Sequence, residues 1–239
     1  MLRIARTGFL QLALLVGACG DGEPVQAEPD PARRASAPAA AAAVVAEDPA
    51  DRDEASATRG TILLIPLKSF PTDLLDAVEE ELERELQVEV RRHDVSPLPK
   101  SAYYKPRKRY RADKLLDHLL TFIEDEPETT FVMGLTQVDI STTNGKIKDW
   151  GIFGLGYSPG RAAVVSSFRL KRKAKSRKHV RFRVANTALH EAGHMFGLPH
   201  CTEPKCPMRD AEGKMSSTDN SQGHLGPQCQ AKLDAAAPL

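Results

Sequence analysis

Three histidines and a glutamate stand close together in the segment HEAGHMFGLPH, at residues 190–200. An α-helix advances about 100° per residue, so His190 and His194 share one face and can bind the same ion. Gly197 can adopt the positive φ that ends a helix at low steric cost, and the chain can then double back to bring in His200. The spacing therefore predicts a metal site built from three imidazoles.

Three neutral imidazoles leave one position of a zinc ion open, which is the form of a catalytic rather than a structural zinc site. Glu191 is too near His190 in sequence to be a natural third ligand, but its carboxylate can reach a Zn²⁺-activated water as general base. The sequence therefore predicts hydrolysis of peptide bonds. The opposite helix face should pack against a sheet, because it carries apolar residues at helical spacing: Val184, Ala188, Ala192 and Met195.

A short cysteine and methionine pattern follows the third histidine. Cys201 comes directly after His200, then Cys206, and Met208 stands two residues later. This arrangement resembles the archaemetzincins, a branch of the metzincin zinc metallopeptidases. The segments AYYKPR at 102–107, GLTQVD at 134–139 and residues 151–165 are also similar to the family's segments and stand in its order. The resemblance covers residues 60–235 and implies a zinc peptidase in which Met208 supports the imidazoles from below.

One departure from the family concerns a second zinc. Two further cysteines, separated by two residues, complete a structural site of four thiolates in archaemetzincins, but here only Cys229 remains and Gly226 stands at the other position. His224 is expected to substitute, because zinc accepts three thiolates and one imidazole. Two alternatives stay open. The site could be lost, or a disulfide could join two of the three cysteines Cys201, Cys206 and Cys229 and leave one thiol over.

The start of the chain has the pattern of an export signal. Arg3 and Arg6 precede an apolar run that is too short to span a bilayer. The run ends in VGAC, which is similar to a bacterial lipobox, so residues 1–18 are predicted to be a signal peptide and Cys19 the lipidated mature N-terminus. The alternatives are plain secretion or a chance hydrophobic start. The prediction is an extracytoplasmic lipoprotein anchored to a bacterial membrane.

Composition divides the remaining chain into a linker and one domain. Residues 19–58 are rich in alanine, proline and acids and contain no aromatic residue, so they are predicted to be a disordered linker. Residues 59–239 are long enough for one peptidase domain with its own core. Apolar runs and helical patterns alternate there as strand, helix, strand, helix, strand, which predicts an α/β fold.

The resemblance adds detail to this fold. It implies a mixed, mostly parallel sheet with an antiparallel edge strand, an active-site helix, and a small C-terminal subdomain with the metal or the cysteines. Residues 151–157 are the candidate edge strand, on which an extended substrate would pair as an added strand. Their glycines could instead mark bulges or a mobile loop.

Residues 169–183 form the densest run of charge, with nine lysines and arginines. The run is expected to be a solvated loop leading into the active-site helix, with attraction to anionic headgroups or cell-wall polymers as an alternative. A nucleic-acid role is not expected, because no aromatic residues interleave with residues 171–178 to stack bases. The predicted partners are a peptide or protein substrate and a membrane, to which the lipid anchor attaches the protein. The protein is expected to be a monomer.

Other interpretations of the histidine motif remain at this point. The histidines could be core residues with satisfied hydrogen bonds, or they could hold zinc without turnover. In the second case the chain would be a non-catalytic, zinc-stabilised lipoprotein that serves as a docking module. A zinc amidase acting on cell-wall peptides is a third possibility, because peptidases and amidases attack an amide bond in the same way.

Overall fold

A five-stranded sheet forms the centre of the domain. The computed structural model describes residues 58–211 and 213–236, so the predicted export signal, Cys19 and most of the linker lie outside the described residues. The strands are β1 (Thr61–Leu67), β2 (Glu89–Arg92), β5 (Thr130–Thr136), β8 (Gly154–Gly156) and β9 (Ala162–Ser166), in the spatial order β2-β1-β5-β9-β8. The first four run parallel, and β8 pairs antiparallel with β9 at the edge.

Helices cover both faces of this sheet. The helices α1 (Thr72–Leu86) and α4 (Arg177–Met195) pack on one face, and α2 (Ala112–Leu120) packs on the other. Alternate residues of a strand point to opposite faces, so Ile62 and Leu64 of β1 join the first core, and Ile65 and Leu67 join the second. All four are fully buried. Parallel strands covered on both sides explain the continuous apolar runs in the sequence.

A second, smaller sheet was not expected from the sequence. It contains β3 (Tyr103–Tyr104), β4 (Arg109–Arg111), β6 (Ile140–Asn144) and β7 (Ile147–Ile152), in the order β3-β4-β6-β7. Its strands are short and largely polar, so they lack the apolar run or the strict alternation that would reveal them. The predicted edge strand is divided as a result. Gly151 and Ile152 belong to β7, and only Gly154–Gly156 forms the edge of the main sheet.

The basic run is a solvated loop only in its middle: residues 171–176 form mostly exposed turns that lead into the active-site helix, as expected, whereas both ends of the run lie in helices. Its beginning lies in α3 (Ser167–Leu170), and α4 starts at Arg177. Arg177 pairs with Asp73 of α1, and the buried Arg183 donates to both carboxylate oxygens of Asp219. Charges within the run therefore hold helices together. The helices α5 (Met215–Asp219) and α6 (Pro227–Ala235) complete the C-terminal part, and none of the helices in the described ranges is long and apolar enough to cross a membrane.

Candidate functional site

The active-site helix and the turn after it bring three imidazoles together. His190 and His194 lie one turn apart on α4, and the chain reverses at Gly197, where φ is +82°. The Nε2 atom of His194 lies 3.2 Å from Nε2 of His190 and 3.2 Å from Nε2 of His200. Each ring therefore offers one nitrogen to the same point, as the spacing in the sequence predicts.

Hydrogen bonds on the far side of two rings decide which nitrogen carries the proton. Nδ1 of His190 donates to the carbonyl oxygen of Pro207 at 2.7 Å, and Nδ1 of His194 donates to that of Leu198 at 2.9 Å. A carbonyl oxygen only accepts, so Nδ1 holds the hydrogen and Nε2 presents a lone pair. Burial lowers the pKa of His190 to about 4 and also lowers the pKa of His194, so both rings are neutral near pH 7.

The donor set fits zinc. Lone pairs on neutral imidazoles repel one another at 3.2 Å unless a cation lies between them. Imidazole nitrogen is a preferred zinc ligand, and a carbonyl accepting from the other ring nitrogen is the usual support for such a ligand. Nδ1 of His200 lies 3.7 Å from a carboxylate oxygen of Asp210.

The side chain of Glu191 extends from α4 towards the edge strand β8. It is buried, and its carboxylate accepts a hydrogen bond from the backbone N–H of Gly156. Burial raises the pKa of Glu191 to about 8. A Cβ atom on Gly154 would lie 2.6 Å from Oε1 of Glu191, so the missing side chain of Gly154 makes room for the carboxylate. The edge strand thus shapes the position of this acid.

These residues line one cleft with a cavity volume of about 660 Å³. One wall is β8, which pairs with β9 on one side only, so within the described ranges its second edge is open to the cleft. Trp150 of β7 also lines the cleft. The cleft therefore places an unpaired strand edge, three imidazoles and a buried carboxylate around a common space.

The segment Cys206-Pro207-Met208 contacts the active-site helix and one of its histidines. Met208 is fully buried, and a Cβ atom on Gly193 would lie 2.4 Å from its sulfur, so α4 and Met208 meet closely only because residue 193 is glycine. The preceding residue, Pro207, provides the carbonyl that holds His190. Met208 therefore packs against the active-site helix at Gly193, next to the residue that holds His190.

A second group of ligand-type side chains lies behind this segment. Cys201, Cys206, Cys229 and Glu203 place one ligand atom each within 4.8 Å of the others, and all three cysteines are free thiols. Burial raises the pKa of Cys206 and Cys229, so these thiols stay protonated unless a cation compensates the thiolate charge. The chemistry of this donor set also fits zinc, which binds thiolate sulfur and carboxylate oxygen.

The structure corrects the expectation for His224. The ring is exposed, its Nδ1 faces the carbonyl oxygen of Leu225, and it does not join the cysteines. Glu203 takes the fourth place, which sequence reasoning missed. Two features of the sequence could have indicated this role of Glu203. It is an acidic residue between Cys201 and Cys206, and Gly226 has no side chain to occupy the fourth place.

Comparison with known proteins agrees with this geometry. Residues 65–235 match the family model described as Peptidase family M54. The chain belongs to this family. The archaemetzincin of Pyrococcus furiosus is 29% identical over 184 residues, which cover 74% of this chain and 93% of that protein. A crystal structure of archaemetzincin from Methanopyrus kandleri aligns with a TM-score of 0.63 and 28% identity, covering 74% of this chain and 96% of that chain.

A crystal structure of archaemetzincin from Archaeoglobus fulgidus, complexed with malonate, aligns with a TM-score of 0.60 and 26% identity. It covers 72% of this chain and 99% of that chain. The predicted resemblance to archaemetzincins and the predicted α/β fold class are therefore confirmed. The chain is a zinc metallopeptidase of the M54 family, and zinc is its cofactor.

Proposed function

We propose that this M54 peptidase hydrolyses peptide bonds at a zinc ion held by His190, His194 and His200, with Glu191 as the general base. The observation that carries the proposal is the convergence of three Nε2 lone pairs beside a buried carboxylate in an open cleft. Zinc, when bound, acts as a Lewis acid that polarises a carbonyl and lowers the pKa of water to about 7.

The residues of the chain perform the remaining tasks. The carbonyl oxygens of Pro207 and Leu198 hold two of the imidazoles in the orientation and tautomer that leave Nε2 unprotonated. Burial alone raises the pKa of Glu191 to about 8, and a zinc ion held by the histidines beside it would lower that pKa and favour the carboxylate. The carboxylate accepts a proton from the attacking water and then delivers it to the departing amine. No covalent acyl-enzyme is needed, because water itself attacks the carbonyl carbon.

The edge strand gives a reason for a peptide substrate. An extended peptide can add to the open edge of β8 by backbone hydrogen bonds, which would set its scissile carbonyl beside the histidines. The N–H of Gly156 already bonds the carboxylate of Glu191, so the same strand would position both the substrate and the base.

Metal analysis of the purified chain, combined with digestion of a peptide library, tests this function. We expect bound zinc, cleavage of linear peptides, and loss of cleavage when a chelator removes the metal. Cleavage of muropeptides without cleavage of any linear peptide would identify a cell-wall amidase instead. Bound zinc without cleavage of either substrate would favour a docking module.

We also propose that the protein is exported and anchored through a lipid on Cys19, with residues 59–239 carried outside the cytoplasmic membrane. The support is the sequence pattern alone, namely the short apolar run ending in VGAC. The mass of the mature N-terminal peptide tests it. A diacylglyceryl cysteine at position 19 is expected, and an unmodified N-terminus at another residue would contradict the anchor.

The contact between Gly154 and Glu191 gives a further prediction. The substitution Gly154→Ala should lower kcat by about 10²-fold, because the new Cβ would lie 2.6 Å from both Cγ and Oε1 of Glu191 and must displace the carboxylate. Steady-state kinetics on a peptide substrate measures the effect, with zinc content and melting temperature as controls. An unchanged kcat in a folded, zinc-loaded variant would contradict the role given to Glu191.

A further inference from the structure

The cysteine cluster combines two separate parts of the chain. Cys201, Glu203 and Cys206 lie in one loop, whose ends are held by the hydrogen bond from the N–H of Cys201 to the carbonyl oxygen of Met208 at 3.0 Å. Cys229 lies in the first turn of α6. Neither part could assemble the cluster alone, so an ion bound there would join the loop to the C-terminal helix.

Gly226 explains why a carboxylate can enter this cluster. A Cβ atom on Gly226 would lie 2.1 Å from Oε2 of Glu203, 2.9 Å from its Cδ and 3.3 Å from Cβ of Cys206. The carboxyl group of Glu203 therefore fills the space that a side chain at position 226 would take. A side chain at position 226 and the carboxyl group of Glu203 therefore cannot occupy this space together.

We propose that Cys201, Cys206, Cys229 and Glu203 bind a second zinc ion, in which the carboxylate of Glu203 replaces a fourth thiolate. Soft thiolate ligands select zinc among the common divalent ions, and zinc also accepts carboxylate oxygen. The site is structural, because all four positions of a tetrahedral ion would be filled by side chains and none is left for water or substrate.

Backbone N–H groups compensate the excess negative charge of three thiolates and a carboxylate. The N–H of Gly226 donates to the sulfur of Cys206 at 3.3 Å, and the N–H of Gln228 lies 3.3 Å from both carboxylate oxygens of Glu203. Both donors belong to the N-terminal end of α6, where the helix dipole also favours negative charge. The cluster is thus arranged for anionic ligands.

A simpler role for Glu203 is to cap α6 without binding a metal. A carboxylate that accepts from an N–H in the first turn is a common helix cap. The substitution Glu203→Gln separates the two roles, because the amide oxygen of glutamine still accepts from Gln228 but is a much weaker zinc ligand than a carboxylate.

The test measures zinc at this site alone, in the full chain with Cys19→Ser, His190→Ala and His194→Ala, so that neither the N-terminal thiol nor the histidine site contributes. Competition with a chromophoric chelator gives the zinc affinity. We expect one zinc per chain, and Glu203→Gln should weaken its binding by at least about 10²-fold, the upper end of what loss of an outer-shell partner costs. His224→Ala serves as the matched control and should leave the affinity unchanged.

A reciprocal substitution guards against misfolding of the single variant. Glu203→Gly combined with Gly226→Cys should restore tight binding with four thiolates, because φ of −73° at position 226 suits a cysteine and the carboxylate no longer fills its space. With Co²⁺ in place of zinc, the double variant should show stronger sulfur-to-metal charge-transfer absorption than the Glu203 site.

Three results would overturn the proposal. One is an unchanged zinc affinity in folded Glu203→Gln, which would leave only the capping role. Another is a weakened affinity in His224→Ala, which would make the imidazole the fourth ligand. The third is a thiol titration of the denatured, unreduced Cys19→Ser chain that finds one thiol instead of three, which would show that the cluster forms a disulfide.

Discussion

Replacing Glu191 by alanine or glutamine is expected to lower kcat/KM for a peptide by about 10²–10⁴-fold, with zinc still bound. Both substitutions remove the group that takes the proton from the attacking water. Neither removes an imidazole, so the histidine site keeps its ligands. Peptide hydrolysis at saturating zinc and metal content per chain are the two measurements.

The pair of substitutions also separates chemistry from packing. Glutamine keeps an oxygen that can accept from the N–H of Gly156, and it nearly fills the buried space of Glu191 between α4 and β8. Alanine leaves that space empty. Equal losses of activity in the two variants would assign the effect to proton transfer. Full activity in either one would exclude Glu191 as the base.

The substitution His194→Ala should remove the catalytic metal itself. The His194 ring is the one whose Nε2 lies 3.2 Å from both other Nε2 atoms, so its loss leaves two ligands without the group between them. Peptidase activity should fall to the detection limit, and the chain should bind one zinc ion fewer than the unsubstituted protein. Metal analysis together with a kinetic assay checks both outcomes.

His93→Ala is a suitable control for this substitution. His93 is exposed and its ring packs on Phe122, away from the cleft. The substitution His93→Ala removes an imidazole without changing the proposed site, so zinc content and activity should match those of the unsubstituted chain. Equal zinc loss in both variants would mean that the ion is not held by the cleft histidines.

The sequence predicts the histidine cluster well because the relevant distances are local. One helical turn separates His190 from His194, and a single glycine allows the reversal that brings in His200. The main sheet is predictable for a similar reason, since buried parallel strands leave continuous apolar runs such as Thr61–Leu67. Both features depend on periodicity within a few residues.

Other features depend on contacts between distant segments and therefore leave no periodic signal. The second sheet consists of short polar strands such as Arg109–Arg111, which resemble loops in composition. Residues 171–176 of the basic run are mostly exposed, as the sequence predicts, but Arg183 at its end is buried and pairs with Asp219, which lies 36 positions along the chain. Glu203 enters the cysteine cluster because it meets Gly226, and no rule of local spacing connects those two positions.

The tripeptide Cys206-Pro207-Met208 has a consequence for how the enzyme can fail. Its first residue belongs to the cysteine cluster, its second fixes the His190 ring, and its third lies against Gly193 of the active-site helix. Because these residues are adjacent in the chain, a displacement of Cys206 also displaces Pro207 and Met208. Oxidation of the cluster's thiols would then inactivate the peptidase by moving the His190 ring and the active-site helix, although every group that touches the substrate would still be chemically intact.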